Sequence, residues 1–215
     1  MAAARENFTR LRAFYQYKIS HFRSDQYVFV DESGTDQRIG FRRTTWSPLG
    51  IAPVQGQALA REDRYQIIPA YTSEGILTAS IYRGATNTSI FEDFVKNILL
   101  PKCGKYPAKN SVIIMDNASI HHSETIRQLC ADAGVILVYL PPYSPSYNPV
   151  EGFISELKAF VQENWRLFFD TTDRSHEAFR RFLSFCALEV GRRRRSARGY
   201  FWDADLLCEE SEDYD

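Results

Sequence analysis

Residues 111–139 carry the pattern that most narrows the fold. A β-branched apolar run over 111–115 is followed by a helix-like stretch from about Ser123 to Ala133, closed by Gly134. A second apolar run, Val135 to Tyr139, then ends at Pro141 and Pro142. Strand, helix, strand in this order predicts a parallel pair, because parallel neighbours need a crossover where antiparallel ones need only a turn.

The flanking segments extend the pattern. Tyr27 to Val30 reads as a buried strand, 38–45 as a second, and 64–71 with 76–83 as a hairpin around Ser73, Glu74 and Gly75. The stretch 46–62, rich in Pro, Gly and Gln, predicts a loop. Residues 6–22 space Phe8, Leu11, Phe14, Tyr15, Ile19 and Phe22 as a short amphipathic helix leading into the core. Phe91, Phe94, Val95, Ile98 and Leu99 predict a helix behind a Ser89-x-x-Glu92 capping box, ended by Pro101. Asn148 and Pro149 open another that buries Val150, Phe153, Ile154, Leu157 and Val161, and a last helix covers about 174–190. No internal repeat is present.

A chain of 215 residues with 44% hydrophobic residues supports one domain with a substantial core. Its net charge of -1 hides an asymmetry: residues 203–215 hold seven acids and no base, leaving 26 basic against 20 acidic residues in 1–202. Cys103, Cys130, Cys186 and Cys208 form no Cys-x-x-Cys pair, which argues against a zinc site or disulfide framework and for a reducing compartment. No signal-peptide segment or membrane-length apolar run occurs, so a soluble protein without membrane partners is expected.

Two of the apolar runs end in an acid, Asp31 and Asp116, where a buried strand reaches solvent. A third acid, Glu151, stands in the first turn of the helix begun at Asn148. Singly, each has an ordinary structural explanation. Asp31 and the pair Asp116-Asn117 suit turns, and Glu151 suits a capping box with Asn148. Together they suit a metal-dependent nuclease, since clustered carboxylates repel one another unless a cation joins them. Glu32 should point away from Asp31 by the two-residue strand period, as a structural or supporting residue. His121 and His122 have no further ligand at zinc spacing.

Four ordered segments carry a resemblance: Val-Asp-Glu-Ser-Gly (30–34), Met-Asp-Asn-Ala-Ser-Ile-His (115–121), Leu-Pro-Pro-Tyr-Ser-Pro-Ser-Tyr-Asn-Pro-Val-Glu (140–151) and Glu-Leu-Lys (156–158). They resemble the catalytic domain of mariner-type DDE transposases and their bacterial insertion-sequence relatives, closely over about 27–165. The resemblance implies a ribonuclease-H-like (retroviral-integrase-like) α/β fold, a mixed five-stranded sheet flanked by helices. It implies Asp31, Asp116 and Glu151 as catalytic and metal-holding acids, with Asn117, His121 and Lys158 as supporting or substrate-contacting side chains. Hard oxygen ligands then select two Mg²⁺ or Mn²⁺ ions.

The implied reaction is cleavage at transposon ends followed by attack of the 3′-hydroxyl on target DNA. Candidate DNA-backbone contacts are Arg42, Arg43, Arg61, Arg64, Arg192 and Arg193, and a homodimer is a further expectation. The expected organisation is a lead-in helix (1–26), the catalytic domain (27–191), and a basic cluster with a disordered acidic tail (192–215). The family's usual pair of N-terminal helix-turn-helix modules is missing from the 26 residues before the first strand. That fits an excised domain, a truncated copy or a domesticated remnant. Location would be nuclear in a eukaryote and cytoplasmic in a bacterium. Two rival readings stand beside this one: a transposase-derived DNA-binding or protein-interaction module with an idle triad, and a glycoside hydrolase with paired carboxylates and no metal.

Overall fold

A computed structural model describes residues 2–40, 49, 64–170, 173 and 175–207. The described strands are β1 (Tyr27–Val30), β2 (Ser33–Thr35), β3 (Tyr65–Thr72), β4 (Gly75–Arg83), β5 (Val112–Met115) and β6 (Ile136–Tyr139). The helices are α1 (Ala2–Ile19), α2 (Thr88–Phe94), α3 (Glu124–Asp132), α4 (Pro149–Glu163), α5 (Trp165–Phe169), α6 (His176–Gly191) and α7 (Arg194–Asp203).

All six strands form one mixed sheet. β1 pairs antiparallel with β3 and parallel with β5, β5 pairs parallel with β6, and β4 covers the other edge of β3. The expected parallel unit is therefore present, with α3 as its crossover helix and Gly134 (φ 69°) supplying the left-handed residue that ends it. Six strands replace the five of the expectation because segment 27–35 is split. β1 and β2 lie in one register along the same edge of β3, and Asp31 and Glu32 interrupt them.

Side-chain alternation divides the core. Tyr27 and Phe29 face a cluster built with α1, α4, α5, α6 and α7, while Val28 and Val30 face a second cluster built with α2 and α3. Each buried strand thus feeds two cores, which is why β1 and β5 read as unbroken apolar runs.

Several local expectations are corrected. The second strand lies at 33–35, not 38–45: Gln37–Gly40 is a 3-10 turn in which Asp36 accepts from the Arg38 amide, and 41–45 fall outside the described residues. The loop at 46–62 lies outside them too, apart from residue 49. The α2 cap is Asn87, which accepts from the Ile90 amide at 2.9 Å, while Glu92 bonds the Ser123 hydroxyl, so no Ser89 capping box forms. In α1, Tyr15 and Ile19 are buried but Phe14 is 66% exposed, so only part of the anticipated stripe enters the core.

The basic cluster expected before a disordered acidic tail forms a helix of its own: Arg194–Asp203 is helical because Ala197 and Phe201 recur on one face and are fully buried. Residues 208–215 lie outside the described residues. Phe201 meets Phe29 of β1 edge to face at 5.5 Å, and Gly152 of α4 lets α7 approach so closely that a Cβ there would lie 2.5 Å from the Tyr200 ring. Phe201→Ala should therefore cost about 3–5 kcal/mol in urea denaturation. A loss below about 1 kcal/mol would show that α7 is not part of the core.

Candidate active site

The parallel register of β1 and β5 sets Val30 opposite Met115, so the next residues, Asp31 and Asp116, leave adjacent strands at the same level. Counting alternate positions from Phe29 and Ile114 puts both acids on the α4 side of the sheet. Glu32 follows Val28 and Val30 to the other side, as its sequence position implied. The third acid arrives with α4. Its cap, Asn148, accepts from the Val150 amide at 3.3 Å, and its own amide donates to Pro145 at 2.9 Å. A capping role for Glu151 is thus unnecessary, and its carboxylate is exposed in the cleft.

Asp31, Asp116 and Glu151 line one open cleft of about 600 Å³ walled by the Leu140–Pro145 loop. Among the described lining residues there is no Lys or Arg. Burial, opposed by the Glu32 amide and assisted by the charges of Glu151, Asp116 and Glu32, pushes Asp31 up to about 7. One Asp31 oxygen accepts from the Glu32 amide and the other from Asn148 Nδ2, each at 2.7 Å.

Asp116 is stabilised differently. His121 is fully buried, with Nδ1 2.7 Å from Asp116 Oδ1 and Nε2 2.9 Å from Glu32 Oε1. Burial alone would lower the imidazole, but the two carboxylates outweigh it and push His121 up to about 10. The same His121 hydrogen bond, with help from the Ala118 amide, holds Asp116 below the usual carboxylate range. The imidazolium thereby neutralises charge in a site otherwise crowded with acids. Its ring packs on Phe91 of α2 at 4.4 Å.

Among the described residues, no three His, Cys, Asp or Glu side chains converge into a ready ion site. Asp31 and Asp116 are instead turned onto protein donors, the arrangement that mutual repulsion favours. The donor set nonetheless fits a hard divalent cation: oxygen only, excess negative charge, and no competing cationic side chain among the described lining residues.

The remaining predicted residues separate. Asn117 lines the cleft, donating to the Leu140 carbonyl at 3.0 Å and accepting through Oδ1 from His122 Nε2 at 2.8 Å, while His122 stacks on Tyr139. Lys158 is exposed and borders a different crevice beside Ser33 and Thr35. Arg64 lies over Gly34, Arg192 meets Glu189 at 3.5 Å, and Arg193 is tied to Glu156 at 2.8 Å. Arg42, Arg43 and Arg61 fall outside the described residues. Sequence reasoning missed the second role of Asn148, whose amide group reaches Asp31. It also missed Arg12 of α1, which bonds Ser144 Oγ and the Tyr143 carbonyl and so anchors the cleft loop.

A family model described as DDE superfamily endonuclease matches residues 26–174, more than half of the chain. No curated protein matches. Among solved structures, the Mos1 mariner paired end complex with Mn aligns with a TM-score of 0.67 at 14% identity, covering 93% of this chain and 61% of that one. The Mos1 strand transfer complex aligns at 0.61 and 12%, covering 94% and 63%. The Mos1 transposase catalytic domain with Raltegravir and Mg aligns at 0.53 and 16%, covering 95% and 94%. The chain spans about three-fifths of the two longer neighbours. These likenesses show a shared ribonuclease-H-like fold.

A carboxyl raised from 3.8 to about 7 binds a proton more tightly folded than unfolded. Its contribution to stability is therefore present at low pH and is lost as pH rises from about 4 through 7. In EDTA at pH 8, Asp31→Asn should melt above the wild type by roughly 2–4 °C, equivalent to about 1 kcal/mol, and the gap should close toward pH 4. A variant that melts lower at pH 8 contradicts the assigned burial and repulsion.

Proposed function

The chain belongs to the DDE superfamily endonucleases, and from that premise we propose that it is a transposase catalytic domain cutting DNA phosphodiesters with divalent cations. The observation that carries this reading is the meeting of Asp31, Asp116 and Glu151 in one cleft with no Lys or Arg among its described lining residues. Mg²⁺ or Mn²⁺ ions, when bound, supply the positive charge that steadies the attacking and leaving oxygens of an in-line displacement. Asp31, Asp116 and Glu151 would hold these ions.

The chain's own groups have definable tasks. His121 keeps Asp116 ionised, so this ligand is ready at neutral pH. Asn148 holds Asp31 with one end of its amide and the first turn of α4 with the other, linking the first and third acids. The positive end of α4 favours an ionised Glu151 or an incoming phosphate. The Leu140–Pro145 wall gives the scissile segment a fixed surface, with Tyr143 84% exposed on it.

The paired end and strand transfer assemblies named for the Mos1 neighbours support extending this chemistry to transposon-end cleavage and 3′-hydroxyl transfer into target DNA; a homodimer would be the working unit. Among the described residues no helix is long and apolar enough to cross a membrane. The place of action would be the nucleus in a eukaryote and the cytoplasm in a bacterium.

Plasmid nicking with Mn²⁺ tests the reading. The wild type should nick supercoiled DNA, and Glu151→Gln should lose about a hundredfold or more in rate with an unchanged circular dichroism spectrum. Equal nicking by the two proteins, or none by the wild type, contradicts it.

A further inference from the structure

Helix α7 lies beyond the matched family region, and its two faces differ sharply. The inner face buries Ala197 and Phe201 and binds α4 through Glu156, which accepts from Arg193, Ser196 and Tyr200. Arg193 also sits over the Phe160 ring at 4.9 Å. That arginine is therefore committed to the fold.

Arg194, Arg195, Arg198 and Trp202 fall on the other side. At 3.6 residues per turn they occupy an arc of about 100°, centred roughly opposite the arc that carries Arg193, Ser196, Ala197, Tyr200 and Phe201. The three arginines are exposed and Trp202 is 52% exposed. Among the described residues none of these three arginines has an ion-pair partner. Two of them stand in the first turn of the helix, where the dipole disfavours cations, so helix stability does not explain them. Asp203 stands at the far end of this helix and Asp205 just beyond it.

The stripe is also placed usefully. α7 runs antiparallel to α4: Arg193 meets Glu156 and Phe160, while Tyr200 meets Glu156 and covers Gly152, the neighbour of Glu151. Its Trp202 end is therefore the end nearer the acid cleft. From Arg194 to Trp202 it spans about 12 Å, enough to follow roughly three phosphates of one strand.

We propose that the outward face of α7, formed by Arg194, Arg195, Arg198 and Trp202, is a DNA-binding track in which the arginines contact phosphates and Trp202 stacks on a base or sugar. This rests on the reading that the chain acts on DNA. Charge complementarity favours the polyanion, and the aromatic side chain among the arginines favours a nucleic acid over a simple anionic surface.

Anisotropy of a fluorescein-labelled DNA duplex, measured in EDTA, tests the track without any cleavage. Arg195→Ala with Arg198→Ala should weaken binding about tenfold and reduce the slope of log K against log salt by about 0.9 for each phosphate no longer neutralised. Replacing both by Lys should retain most of that slope. Arg180→Ala with Arg181→Ala, the same charge change on α6, should stay within about twofold of the wild type. Trp202→Phe should remove most of the tryptophan quenching caused by DNA. Unchanged affinity and slope in the Arg195/Arg198 variant, an equal weakening in the α6 control, or a wild type that prefers phosphatidylserine vesicles to DNA overturns the proposal. Asp116→Ala separates it from the catalytic reading: that variant should bind like the wild type in EDTA whether or not it has lost nicking.

Discussion

The parallel pairing of β1 with β5 is the constraint on which the rest depends. Because both strands are buried on both faces, a slip of one residue would turn every apolar side chain to the wrong core and carry Asp31 away from Asp116. The register thus fixes two acids at one level as a by-product of packing. α4 then needs only to begin at the correct place, and Asn148 secures that by bonding Asp31 and the α4 backbone together.

Charge is the opposing force. Four carboxylates, those of Asp31, Glu32, Asp116 and Glu151, stand around the cleft, and burial makes an ionised Asp31 costly without a partner. His121 offsets two of them by bridging Glu32 and Asp116, with α2 packed behind it through Phe91. Among the described residues Asp31 has no such cation beside it, and burial, with the charges of Glu151, Asp116 and Glu32 added, holds its proton to about neutrality. A site so arranged is poor at stabilising the fold and well suited to attracting positive charge.

Much of this was legible in the sequence, because strand period and helix caps are local. The runs before Asp31 and Asp116, the crossover helix ended by Gly134, and the Asn148 start of α4 all follow from nearest neighbours. What escaped depends on tertiary contacts. Ser33–Thr35 becomes a strand only because β3 offers an edge in register with β1. Arg194–Asp203 is dominated by charge, and its helix is held by two small stretches of buried surface, Ala197 and Phe201, together with Glu156 from elsewhere in the chain. The Glu32 to His121 bond, across 89 positions, had only the side-chain parity of β1 to suggest it.

We propose that Asp31, Asp116 and Glu151 together hold the divalent ions, although Asp31 and Asp116 are turned, as they stand, toward protein donors. Anomalous diffraction from crystals soaked in Mn²⁺ tests it most directly. The expected result is manganese density in the cleft, with Asp31 released from Asn148 and oxygens of Asp116 and Glu151 within ligand distance. Manganese bound elsewhere, or in the cleft with Glu151 out of reach, would contradict it.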